Sequence, residues 1–135
     1  MLDEDIALVR SSWAKISAAP EQTATLFYSR LFTVYPEVRP LFRGELDEQG
    51  EKLMRMMNKA VQSLDDLEPL DRVIKMMGAR HWGYGVKSED YEKMADALFW
   101  TLQERLGDDF TPETRAAWSA IYDELAELMR EGANY

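Results

Sequence analysis

The sequence predicts an all-α fold. Apolar residues recur at three- and four-residue spacings along most of the chain, the period of one helix face. Strand-like alternation is missing throughout. Pro20, Pro36, Pro69 and Pro112 each stand where a periodic stretch begins, a position at which the missing N–H costs a helix nothing.

The first helix is expected over 3–17, where Ile6, Val9, Trp13 and Ile16 form one stripe. The second, over 20–35, sets Tyr28 beside Ala24, Leu31, Phe32 and Tyr35 on an apolar side. Pro40 follows Pro36 so closely that 36–42 is restricted to a short helix or tight turns. The third long stretch, 46–64, traces an inward face through Leu46, Gln49, Leu53, Met57, Ala60 and Leu64, with Gln49 its polar member. A shorter helix over 70–81 aligns Leu70, Ile74, Met77 and His81. "GYGVKSED" then reads as a connection. Tyr91, Met94, Leu98 and Leu102 form the stripe of 88–106, and "LGDDFTPE" is the next connection. The last helix, 112–131, carries Trp118, Ile121, Leu125 and Leu128, with Thr111 placed to cap it.

Composition excludes several classes of function. The 135 residues suit one domain, with no repeat, low-complexity tract or dividing linker. No apolar run approaches a membrane span, and the acidic start "MLDEDIALVR" lacks the basic flank of a secretory signal. A cytoplasmic location without membrane insertion is therefore expected. A formal charge of −9 leaves no basic stripe for a phosphate backbone, so nucleic acid is an unsuitable partner. With no cysteine there are no disulfides, thiolate metal sites or thioether-linked cofactors. Phosphate-loop, dinucleotide and H-E-x-x-H motifs are missing, and the only histidine has no nucleophile elbow to serve. No carboxylate occupies an apolar stripe, where burial would raise its pKa.

What stands out is a set of polar groups on apolar faces. His81 is the only polar member of its stripe, and a buried imidazole needs a partner for at least one nitrogen. It can be a core histidine bonded to a backbone carbonyl, or a ligand. Gly78, Gly83 and Gly85 around it suggest a loosely packed helix end. Tyr28 and Gln49 can likewise be a core tyrosine and a boundary residue. Taken together, the three suggest a dry pocket with convergent polar functions. Met54, Met56, Met57, Met76 and Met77, on the two helices flanking it, can be core filler or the wall of a large flat ligand.

In "LFYSRLFTVYPEVRPLF", "EQGEKLM", "GARHWGYGV" and "AAWSAIYDEL", in that order and spacing, the chain resembles the bacterial single-domain globins and the globin domain of flavohaemoglobins. The resemblance covers nearly the whole chain and implies a globin fold around one b-type haem (iron protoporphyrin IX), held without covalent attachment. Matched residue by residue, it implies that His81 ligates the iron and that Phe42 stacks on the porphyrin. Leu53 lies over the iron, Val86 touches the macrocycle, and Lys52 and Arg80 are candidate propionate partners. Tyr28 and Gln49 correspond to the pair facing the bound gas, and Tyr91 to a tyrosine behind the proximal histidine. The implied ligands are oxygen, carbon monoxide and nitric oxide, with high oxygen affinity.

Flavohaemoglobins convert nitric oxide to nitrate with an attached flavin reductase. These 135 residues include no reductase, so such turnover is expected to need an external one. The family's proximal glutamate is also missing: Ala133 falls at its position, with Glu131 two residues away. Reversible oxygen binding is the leading expectation and nitric oxide dioxygenation the alternative. A haem sensor would lack an output domain, and a haem-free globin-like interaction module would leave His81 as a core residue.

Overall fold

A computed structural model describes residues 2–42 and 44–133. Six α-helices follow in order: α1 (Asp3–Ile16), α2 (Pro20–Val34), α3 (Leu46–Gln62), α4 (Glu68–Gly83), α5 (Asp90–Leu106) and α6 (Pro112–Ala133). Two short 3-10 helices, Pro36–Leu41 and Gly107–Asp109, join α2 to α3 and α5 to α6. The described residues include no strand, and none of their helices is long and apolar enough to cross a membrane. Helix α4 begins two residues earlier and ends two later than its apolar stripe. Glu68 and Pro69 supply a first turn that needs no buried side chain, and Arg80 and His81 suit the negative end of the dipole.

The helix starts show how local chemistry sets the boundaries. Pro20, Pro36 and Pro112 each open their element, and Pro69 is the second residue of α4. At α6 the Thr114 N–H donates to Thr111 Oγ1 at 3.1 Å, satisfying one of the donors that a helix start leaves free. Thr111→Ala is therefore expected to cost about 1 kcal/mol, read as a lower urea midpoint with an unchanged slope.

The core is built from the predicted stripes. Ile6, Val9, Trp13 and Ile16 are all buried, as are Leu31, Leu102, Trp118 and Ile121. Two indoles anchor α1 between its neighbours. Trp13 Nε1 donates to Asn58 Oδ1 on α3 at 2.6 Å, and Trp118 Nε1 on α6 donates to the buried Ser12 Oγ at 2.8 Å. Each bond satisfies the one polar atom of a large apolar side chain, so the ring can be buried without penalty.

On α3 the buried seam is rotated from the expected face. Gly50, Met54 and Val61 are buried, whereas Leu46, Gln49, Leu53, Met57 and Ala60 are half-buried. Gly50 is the cause. It lets α3 approach α2 until a Cβ at that position would stand 3.1 Å from the Ala24 Cβ. The flank with Gln49 and Leu53 consequently turns away from the seam.

The packing of the middle helices positions the site. Helix α3 rests on α1 and α2, α4 rests on α6, and α3 and α4 barely touch. These two consecutive helices, with different supports and few contacts with one another, stand apart.

Candidate haem crevice

His81 stands on the last turn of α4, half-buried, below the buried Leu70 and Ile74 and next to the half-buried Met77. Its Nδ1 lies 2.6 Å from the Met77 carbonyl oxygen. A carbonyl can only accept, so Nδ1 is the donor, and in the neutral ring Nε2 is then the nitrogen that carries the free lone pair. The bond also fixes the plane of the ring. An imidazole oriented by a backbone carbonyl, with its other nitrogen unprotonated, is the arrangement a metal-ligating histidine needs. Among the described residues no cluster of three or more His, Cys, Asp or Glu could hold a bare metal ion.

The surroundings fit the haem that the sequence resemblance implies. Leu53 and Gln49 are half-buried along α3. Phe42, half-buried at the end of the first 3-10 helix, sets its ring 5.5 Å from Tyr28 and 5.3 Å from Phe32. Val86 is buried just beyond α4, in a cluster with Tyr91 and Ala126 that Leu41 and Met94 border. Lys52 and Arg80 lie exposed on α3 and α4, one on each helix of the crevice, where cationic ends can meet carboxylates at its mouth. Met54 is buried and Met56, Met57 and Met77 are half-buried, but Met76 is exposed. It follows Lys75 on the outward side of α4 and is no wall of the crevice.

Tyr28 is buried on α2, stacked on Phe32 at 5.7 Å and edge-on to Phe27 at 5.3 Å. Burial pushes its hydroxyl up to about 12, so it remains a phenol and a hydrogen-bond donor at neutral pH. Because the folded chain holds this proton more tightly than the unfolded chain, the corresponding stability is complete below pH 10 and is lost as pH rises toward about 12. Tyr28→Phe should remove about 2–3 kcal/mol of that alkaline loss, measured by urea unfolding at a series of alkaline pH values.

An apolar cavity of about 90 Å³ lies behind Leu53, between it and Trp13, Phe27, Met57, Met94 and Leu98. Pockets for drug-sized ligands run from about 300 Å³ upward, so this one takes small apolar molecules and not a porphyrin.

Behind the histidine the sequence is unusual and the geometry explains how. Glu131, nearest in sequence to the missing carboxylate, pairs with Lys75 on α4 at 3.4 Å. Ala133 is buried. A guanidinium occupies the neighbourhood: Arg130 lies 5.4 Å over the Tyr91 ring and donates to the Ser88 carbonyl at 3.2 Å. Tyr122, whose hydroxyl burial pushes up, donates to the Tyr91 carbonyl at 2.6 Å.

Asp90 is buried at the start of α5, outside the apolar stripes. It accepts the Lys87 N–H at 2.8 Å and pairs with Lys93 at 3.1 Å, a capping role that a face-by-face reading of apolar stripes overlooks. Gly78 does not loosen the helix end. A Cβ there would run into the Met129 backbone on α6; only Gly83 and Gly85 are exposed.

Comparison with known proteins agrees with this geometry. The model of the globin family matches residues 25–129. Among curated relatives, neuroglobin of Tetraodon nigroviridis is 29% identical over 96% of this chain and 90% of its own length. Neuroglobin of Chaenocephalus aceratus is 28% identical over 96% and 91%. Among solved structures, an engineered carbene transferase built on a Rhodothermus marinus protein assigned as a nitric oxide dioxygenase superposes with a TM-score of 0.89. It is 28% identical and covers 99% of this chain and 94% of that one. A bacterial globin from Campylobacter jejuni gives 0.87 at 24% identity, with 98% and 96% covered, a likeness of fold.

Proposed function

The chain belongs to the globin family, whose members hold haem and bind gases such as oxygen, and from that premise we propose that it binds oxygen reversibly at one b-type haem ligated by His81. The observation that carries this is the chain's only imidazole, on α4, held through Nδ1 by the Met77 carbonyl and set opposite an α3 that makes few contacts with α4. Haem iron supplies the coordination position at which a diatomic gas binds. His81 would hold the iron, Phe42, Leu53 and Val86 would line the ring, and Lys52 and Arg80 would meet its propionates. Tyr28 and Gln49 would donate hydrogen bonds to the gas, with apolar neighbours excluding water that would compete for those donors. Oxygen, the more polar of the two gases once bound, would gain more from two donors than carbon monoxide. One domain over the 135 residues suffices for this chemistry.

Nitric oxide dioxygenation with a separate reductase is the second reading. The likeness to the Rhodothermus marinus protein, 28% identical, and the flavohaemoglobin-like motifs favour it. Against it stands the lack of the family's proximal glutamate: Ala133 falls at its position, and Glu131 is drawn to Lys75. A carboxylate bonded to the imidazole would make it more electron-rich. Oxygen binding is thus the better-supported role.

An oxygen equilibrium curve of the reduced protein, taken without a reductase, tests the proposal. Reversible uptake of one oxygen per chain is expected. Rapid consumption of nitric oxide to nitrate, sustained by an added reductase, would move the assignment to the dioxygenase. Failure to take up haem would leave an interaction module.

A further inference from the structure

Helices α4 and α6 cross through two glycines. A methyl on Gly78 would collide with the backbone carbonyl of Met129, and a methyl on Gly132 with the backbone carbonyl of Lys75. Each glycine therefore admits the main chain of the opposite helix. These are atoms of regular helices, so no rotamer change relieves either collision, and the axes would have to separate on the order of 1 Å. The contrast with Gly50, which faces only the Cβ of Ala24 at 3.1 Å, shows how close this crossing is.

The crossing lies directly before the imidazole. Gly78 follows Met77, whose carbonyl oxygen accepts the proton of His81 Nδ1. Any movement of the backbone at 77–78 is transmitted to the ring through that bond and through the single helical turn between them. Helix α4 has its principal support in α6. Val73, Met76 and Trp82 along it are exposed. The same segment of α6 holds both flanks of the crossing, through Glu131 on Lys75 and Arg130 on the Ser88 carbonyl.

We propose that the Gly78–Gly132 crossing is a positioning contact that sets how far the His81 imidazole reaches toward the iron, and hence the tension on the iron–histidine bond. This rests on the haem reading above. The two residues touch neither haem nor gas; they act through the placement of α4.

The test is the iron–histidine stretching band in resonance Raman spectra of the reduced, haem-loaded protein, with melting temperatures alongside. Wild type is compared with Gly78→Ala, Gly132→Ala and Gly83→Ala. Gly83 shares α4, but a Cβ there would meet nothing within 4 Å. Gly132 is the next-to-last residue of α6, so the separation it forces is borne at one end of that helix and this variant folds even if Gly78→Ala does not. The expected result is a band shifted by several wavenumbers in Gly132→Ala, and in Gly78→Ala where it folds, with Gly83→Ala unchanged. A folded, haem-loaded Gly132→Ala with the wild-type band overturns the proposal, as does a shift confined to Gly78→Ala. A wild-type protein that takes up no haem overturns the haem reading and this inference with it, and a haem-loaded wild type without the band overturns this inference alone.

Discussion

Replacing Tyr28 with phenylalanine should speed oxygen release by about tenfold to a hundredfold, because a hydrogen bond to a charged acceptor is worth about 1.5–3 kcal/mol and each 1.4 kcal/mol is a factor of ten. The ring would stay in place. Tyr28 is held by Phe27, Phe32 and Phe42 through contacts that phenylalanine keeps, so the change removes the hydroxyl and little else. Burial holds that hydroxyl protonated, which makes it a donor across the physiological range. Stopped-flow replacement of oxygen by carbon monoxide measures the rate directly. Carbon monoxide release should change by far less, and a second loss at Gln49→Leu should add to the first only if both groups donate to the same gas. An unchanged oxygen rate in Tyr28→Phe would remove this residue from the site.

His81→Ala should raise the rate of haem loss by more than about a hundredfold, since losing merely an outer partner of a metal-ligating histidine costs about 10–100-fold. The fold should survive. His81 is half-buried near the end of α4, alanine is the best helix former, and the core of Leu70 and Ile74 lies further back along the helix. Transfer of haem to an apoprotein acceptor gives the rate, and added free imidazole should partly restore it by filling the place of the lost side chain. If His81 were only a core residue with its Nδ1 satisfied by Met77, haem retention would not respond to its removal.

How far these conclusions were legible in the sequence depends on the scale of the feature. Helix stripes survive translation into structure because burial acts on one face at a time, as Ile6, Val9, Trp13 and Ile16 show. Proline and Thr111 mark helix starts through chemistry confined to one turn. His81, Tyr28 and Gln49 are visible as polar members of apolar faces, although a core role and a binding role look alike at that level. Rotation of the α3 seam is a different matter, because it follows from contact between Gly50 and Ala24, far apart in sequence. The same holds for Gly78, which reads as slack beside the histidine but proves to be the closest approach of two helices. The burial of Asp90 by a local cap and the exposure of Met76 are likewise beyond a reading of stripes and composition.

The most direct test of a gas-binding haem in the α3–α4 crevice is the absorption spectrum of the reduced, haem-loaded protein, carried from argon to oxygen and back to argon. One haem per chain, with an intense Soret band that shifts under oxygen and returns when the gas is removed, is the predicted result. A folded chain that takes up no stoichiometric haem, or a haem spectrum indifferent to oxygen, would contradict it.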